Sequence, residues 1–156
     1  MKSCSFTGHR SIDTADVKTL PGLIRRGIEY VYGEGVREFC VGGALGFDTM
    51  VAKEIISFRM SHPDIKLILV LPCLDQTDMW SYQQKDMYDF ILSQADLVEY
   101  TSESYYKGCM RVRNKRLVDR ADVVIAYLKR TTSGAAQTVR MAKEAGKIVY
   151  NLYGKK

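Results

Sequence analysis

Thr7-Gly8-His9-Arg10 places a glycine directly before an imidazole and a guanidinium. Glycine permits a tight turn, and arginine can fork onto a phosphate or a carboxylate. Gly8, His9 and Arg10 are therefore candidates for binding an anion, although the tetrapeptide alone is a weak motif. Further along, Gly42-Gly43-Ala44-Leu45-Gly46-Phe47-Asp48 is more specific. Residues without bulky side chains let backbone N–H groups approach an anion, and a helix opening at Gly46 adds its partial positive charge. The run is not a Walker loop, because no Gly-Lys-Ser/Thr follows, and it is not the dinucleotide fingerprint expected after a first strand. Gly42, Gly43, Ala44, Gly46 and Asp48 join the candidates. Asp48 has two readings: a carboxylate that stabilises the first turn of a helix, or a hydrogen-bond acceptor for a ligand.

Two later segments complete the set. Thr101 to Gly108 is a polar loop with adjacent aromatics, Tyr105 and Tyr106. Tyr105 is a candidate to stack on a base or sugar, with plain surface packing as the alternative. The loop Lys129 to Thr138 carries Thr132, Ser133 and Gly134, a set of hydroxyls and a glycine at a helix start, which form a second anion-binding surface. Between them, Met110, Leu117, Val118 and Ala121 mark the buried stripe of a helix. Arg113 and Asn114 fall on that stripe. A guanidinium so placed requires an anionic or carbonyl-rich partner, either an internal Asp such as Asp48 or Asp122 or a ligand phosphate.

Positioning these residues is the task of six short β-type runs separated by helical-length segments. The runs are Ser3 to Thr7, Glu38 to Val41, Ile65 to Leu71, Asp96 to Tyr100, Asp122 to Tyr127 and Ile148 to Leu152. Helical spacing is expected from Val17 to Val31, with Pro21 near its start, and then over Phe47 to Met60, Met79 to Leu92, Met110 to Ala121 and Gly134 to Ala145. Such alternation predicts an α/β protein of three layers, a Rossmann-like fold with a mostly parallel sheet of about six strands flanked by helices. Ligands bind such sheets beyond the carboxyl ends of the strands, where every candidate above is located.

The 156 residues suit one domain, 1–156, with 46% apolar and 26% charged residues, values ordinary for a globular protein. No apolar run of signal-peptide or membrane-helix length occurs, so a cytoplasmic protein without a membrane partner is expected. Cys4, Cys40, Cys73 and Cys109 form no CxxC pair and have no histidine cluster beside them, so reduced core thiols and no metal site are expected. Residues 107 to 130 hold eight cations against two anions in a chain whose net charge is +5. This stretch reads either as a solvated helix face or as a nucleic-acid contact. Met79, Trp80, Tyr82, Met87 and Tyr88 either cover a homo-oligomer face or pack on the sheet, and packing is the reading adopted.

On Thr7-Gly8-His9-Arg10, the Gly-Gly-Ala-x-Gly-x-Asp run and the stretch from Arg113-Asn114 through Ala121-Asp122 to Ser133-Gly134, the chain resembles the SLOG superfamily and within it the YpsA and YoqJ-like family. The resemblance covers nearly the whole chain. It implies binding or sensing of a nucleotide, nucleotide-sugar or ADP-ribose-like ligand, with no cofactor required beyond a bound nucleotide or phosphate. The glycine run is also similar to the loop of DprA, which implies single-stranded DNA binding as an alternative. The LOG phosphoribohydrolases of the same superfamily imply a third reading, cleavage of a nucleoside monophosphate. Their Met-x-x-Arg-Lys frame is matched by Met110, Arg113 and Asn114, with asparagine in place of lysine. Gln137 or Thr138 stands where their catalytic glutamate belongs, and neither can carry that charge. Catalytic residues are therefore unassigned, with Asp48 and Glu103 as the carboxylates that remain.

Overall fold

A computed structural model describes residues 1–155. Eleven elements alternate along the chain: β1 (Ser3–Gly8), α1 (Leu20–Gly33), β2 (Glu38–Val41), α2 (Phe47–Ser61), β3 (Lys66–Leu71), α3 (Tyr82–Gln94), β4 (Leu97–Tyr100), α4 (Cys109–Arg120), β5 (Val123–Tyr127), α5 (Gly134–Glu144) and β6 (Ile148–Asn151). All six strands form one sheet in the order β4-β3-β2-β1-β5-β6, and every pairing is parallel. The expected Rossmann-like α/β architecture is thus present, wholly parallel rather than mostly so.

Strand alternation divides the interior into two unequal halves. Cys4, Phe6, Phe39, Val41, Leu67, Leu69, Leu71, Val123, Ile125 and Tyr127 face one side and join Ile24, Ile28, Phe47, Val51, Ile55 and Ile91 from α1, α2 and α3 in a single core. The side covered by α4 and α5 is thinner. Its two clusters hold Cys40, Ile68, Val70 and Leu117, and Val118, Ala121, Val124 and Ala142. Ser3, Ser5 and Thr7 are buried on this side. The Ser5 hydroxyl donates to the Leu117 carbonyl at 2.7 Å, which ties α4 to the central strand.

Two helix starts differ from expectation. Residues before Leu20 form turns rather than helix, and Val17 is exposed. The Tyr127 hydroxyl donates to Asp16 at 2.6 Å there, anchoring the segment in a non-helical path. The helix expected from Met79 begins at Tyr82, because Ser81 and Gln84 form a reciprocal capping box. Met79 and Tyr82 consequently stand exposed at 95% and 79%, so only Trp80, Met87 and Tyr88 of that group pack inward. All four cysteines are free and buried, and no metal-ligating cluster occurs among the described residues. No helix among them is long and apolar enough to cross a membrane.

Candidate functional site

β1 lies at the middle of the sheet between β2 and β5. From β1 the chain turns toward β2 through α1, and from β5 it turns toward β6 through α5, on the opposite face. Loops that depart in opposite directions leave a crevice beyond the strand ends. A cavity of about 380 Å³ occupies that place, a volume ordinary for small-ligand sites. Its lining includes Gly8 to Ser11 from the β1 loop, Ala44 and Asp48 at the start of α2, Met110, Arg113 and Asn114 of α4, and Arg130 with Ser133 to Ala135 ahead of and within α5. The two glycine-bearing turns therefore converge on one space.

Each wall has a local cause. Gly46, with φ of +74°, caps α2 in a conformation that side chains rarely adopt. A Cβ there would fall 2.1 Å from the Arg10 carbonyl oxygen, so the β1 loop rests directly on this backbone. The Phe47 N–H donates to the His9 carbonyl at 3.1 Å and fixes the contact. On the other wall the Ser133 hydroxyl accepts from the Ala136 N–H at 3.1 Å and caps α5.

His9 joins these walls. It is 3% exposed, and its Nε2 accepts from the backbone N–H groups of Lys129 at 2.9 Å and Arg130 at 3.1 Å. Two donors at one ring nitrogen require that nitrogen to be unprotonated, which assigns the proton of the neutral ring to Nδ1. That Nδ1 is buried without a partner. Burial, with Arg130 nearby, pushes the His9 pKa down and favours the neutral form.

Arg113 and Asn114 are each 6% exposed, as their helical spacing requires. The Arg113 partner is a carbonyl rather than an aspartate: Nη1 donates to the Gly42 carbonyl and Nε donates to Asn114 Oδ1 at 2.9 Å. Asp122 instead accepts the N–H groups of Lys2 and Ser3, remote from Arg113. Gly42 must lack a side chain, because a Cβ would lie 2.6 Å from Arg113 Nη1. Asp48 is also 6% exposed; Oδ2 accepts from the Ala44 N–H at 3.1 Å, while Oδ1 is buried with no partner. Burial raises its pKa to about 6, against the opposing pull of Arg113, the Ala44 N–H and Arg10.

Of the other candidates, Gly43 packs behind the cavity against Leu71, Gln76 and Tyr88. Tyr105 is 63% exposed and outside the cavity lining, because its loop follows an edge strand. Thr132 is likewise exposed and outside it. Thr138 is buried and donates to the Gly134 carbonyl at 3.0 Å. Asp48 is the one carboxylate among the described residues that line the cavity. Arg130, Ser11 and Met110 also line it. Arg130 was legible only as part of a cationic stretch, although its place three residues before the Ser133 cap marks it as a lip residue.

Fold and crevice define a Rossmann-like α/β protein with a ligand cavity at the point where strand order reverses. The model of the YspA SLOG family, YpsA, matches residues 4–152, and the chain belongs to that family. A UPF0398 protein of Bacillus thuringiensis (strain Al Hakam) is 25% identical over 158 aligned residues, covering 95% of this chain and 86% of the relative. Among solved structures, DprA from Streptococcus pneumoniae superposes with a TM-score of 0.66 at 21% identity. The match covers 95% of this chain but about half, 49%, of that one. DprA from Helicobacter pylori, described for its single-stranded DNA binding mode, superposes at 0.68 with 22% identity, covering 95% of this chain and 63% of the other.

Proposed function

We propose that this protein binds a phosphate-bearing nucleotide-type ligand, a nucleotide, nucleotide sugar or ADP-ribose-like molecule, in the crevice between the β1 and β5 loops. One observation carries the reading: the N-termini of α2 and α5 and three guanidinium groups, Arg10, Arg113 and Arg130, meet at a single cavity. Helix N-termini attract anions through free amides and the helix dipole. Arg10 and Arg130 take part in no ion pair among the described residues, so both are available to a guest. A thermal-shift screen of mononucleotides, NAD and ADP-ribose tests this. At least one should stabilise the protein, and the combined Arg10→Ala and Arg130→Ala variant should lose most of that shift. No shift with any of them would overturn the reading.

Single-stranded DNA binding is the second reading, favoured by the superposition on DprA. Charge distribution speaks against a broad DNA surface. Arg116 and Arg120 share Glu99, Lys115 pairs with Asp119, and Lys129 pairs with Asp13. Of the eight cations between residues 107 and 130, those four are paired and Arg113 is buried, leaving Lys107, Arg111 and Arg130. Titration with an oligothymidine at two salt concentrations decides it, since a DNA-binding surface would show steeply salt-dependent affinity. Hydrolysis is the weakest reading, because glycoside cleavage ordinarily uses two carboxylates and the cavity offers Asp48 alone.

A further inference from the structure

The cavity has two chemically different ends, and the difference follows from consecutive residues of one helix. Arg113 faces Gly42 and Asp48, whereas a Cβ on Gly134, the first residue of α5, would lie 3.9 Å from Asn114 Nδ2. Asn114 therefore faces the α5 N-terminus, where the Ser133 cap, the first turn of the helix and nearby Arg130 offer only positive or neutral partners. The Arg113 end contains a carboxylate. A phosphate group is excluded from the Asp48 end by like charge and attracted to the α5 end.

Asp48 Oδ1 is buried, acceptor-only when ionised, and unpartnered. Such an oxygen is expensive to leave unsatisfied, and the group that satisfies it must be a donor. Arg113 does not fill this role, since no Arg113 nitrogen lies within 4 Å of an Asp48 oxygen and its Nε and Nη1 are committed to Asn114 and Gly42. Adjacent helical residues sit about 3.8 Å apart at Cα. The donor must accordingly be separated from the phosphate by roughly one sugar ring, too short a distance for a base to lie between.

We propose that Asp48 selects a ribose phosphate, accepting a hydrogen bond from a free sugar hydroxyl while the phosphate rests on the α5 N-terminus. This rests on the phosphate-ligand reading above and sharpens it, because a 2′-deoxyribose chain such as DNA lacks one of the two ring hydroxyls. The cavity thus favours a small ribose-bearing molecule over single-stranded DNA.

Calorimetric titration with methyl β-D-ribofuranoside 5-phosphate, its 2-deoxy and 3-deoxy counterparts, and inorganic phosphate tests it. The parent sugar should bind tenfold or more tightly than at least one deoxy sugar at pH 7.5. In Asp48→Ala that preference should disappear, while affinity for inorganic phosphate is retained. Should the variant fail to fold, the wild-type protein still decides. The ratio of parent to deoxy affinity cancels the titration of the phosphate itself, and it should shrink as pH falls below about 6, where Asp48 takes up a proton and Arg113 and Arg10 remain charged. Equal affinities for all three sugars, or a pH-independent ratio, would overturn the selectivity while leaving the phosphate site intact. If neither the sugars nor inorganic phosphate bind, the phosphate-ligand reading itself fails.

Discussion

The two faces of the sheet are built to different ends. Toward α1, α2 and α3 the strands present aromatic and aliphatic side chains in one continuous core, with Phe6 stacked on Phe39 at 6.2 Å and Phe47 on Tyr127 at 6.0 Å. Toward α4 and α5 they present Ser3, Ser5 and Thr7, and the helix above contributes a buried arginine and asparagine. Apolar contact on the first face supplies stability, whereas hydrogen bonds on the second supply position. A cavity lined with polar groups can form beside the second face because little apolar surface there demands to be covered.

Stability measurements can break this comparison. The largest effect should come from the apolar face: Phe47→Ala is expected to cost about 3–5 kcal/mol, read from denaturant unfolding. A loss below 1 kcal/mol would show that the thick core is not the principal source of stability. Next in size is the pH dependence set by Asp48, whose folded-state pKa of about 6 exceeds the ordinary carboxylate value. The folded form then holds a proton that the unfolded chain has released, so stability falls as pH rises from about 4 to about 6. The loss is on the order of 3 kcal/mol at neutral pH, and Asp48→Asn should flatten that segment of the profile. A wild-type profile flat across this window would mean that the carboxylate is better solvated than its burial indicates. Smallest is Ser5→Ala, which leaves the Leu117 carbonyl without its donor and is expected to cost about 1–3 kcal/mol.

The apolar face is also the one most legible in the sequence. Alternation within Ile65 to Leu71 and Asp122 to Tyr127 placed the strands within one residue of their ends. The polar face was legible wherever a local rule reached it. Spacing from Leu117 put Arg113 and Asn114 in the interior, and the glycine runs marked both turns. What those residues touch was hidden, because the contacts are long-range: Gly42 lies 71 residues from Arg113, and the amides that meet His9 lie 120 and 121 residues from it. No periodicity encodes such a meeting. Tyr105 shows the converse, since two adjacent aromatics describe a chemical capacity but not the direction in which a loop carries it.

The His9 junction has a consequence for how a ligand is received. Its ring holds the amides of one loop and its carbonyl holds the first turn of α2, so three chain segments are immobilised around the crevice before any guest arrives. A preorganised receptor loses little conformational entropy on association, and its affinity is then governed by how well the guest's shape and charge match the fixed donors.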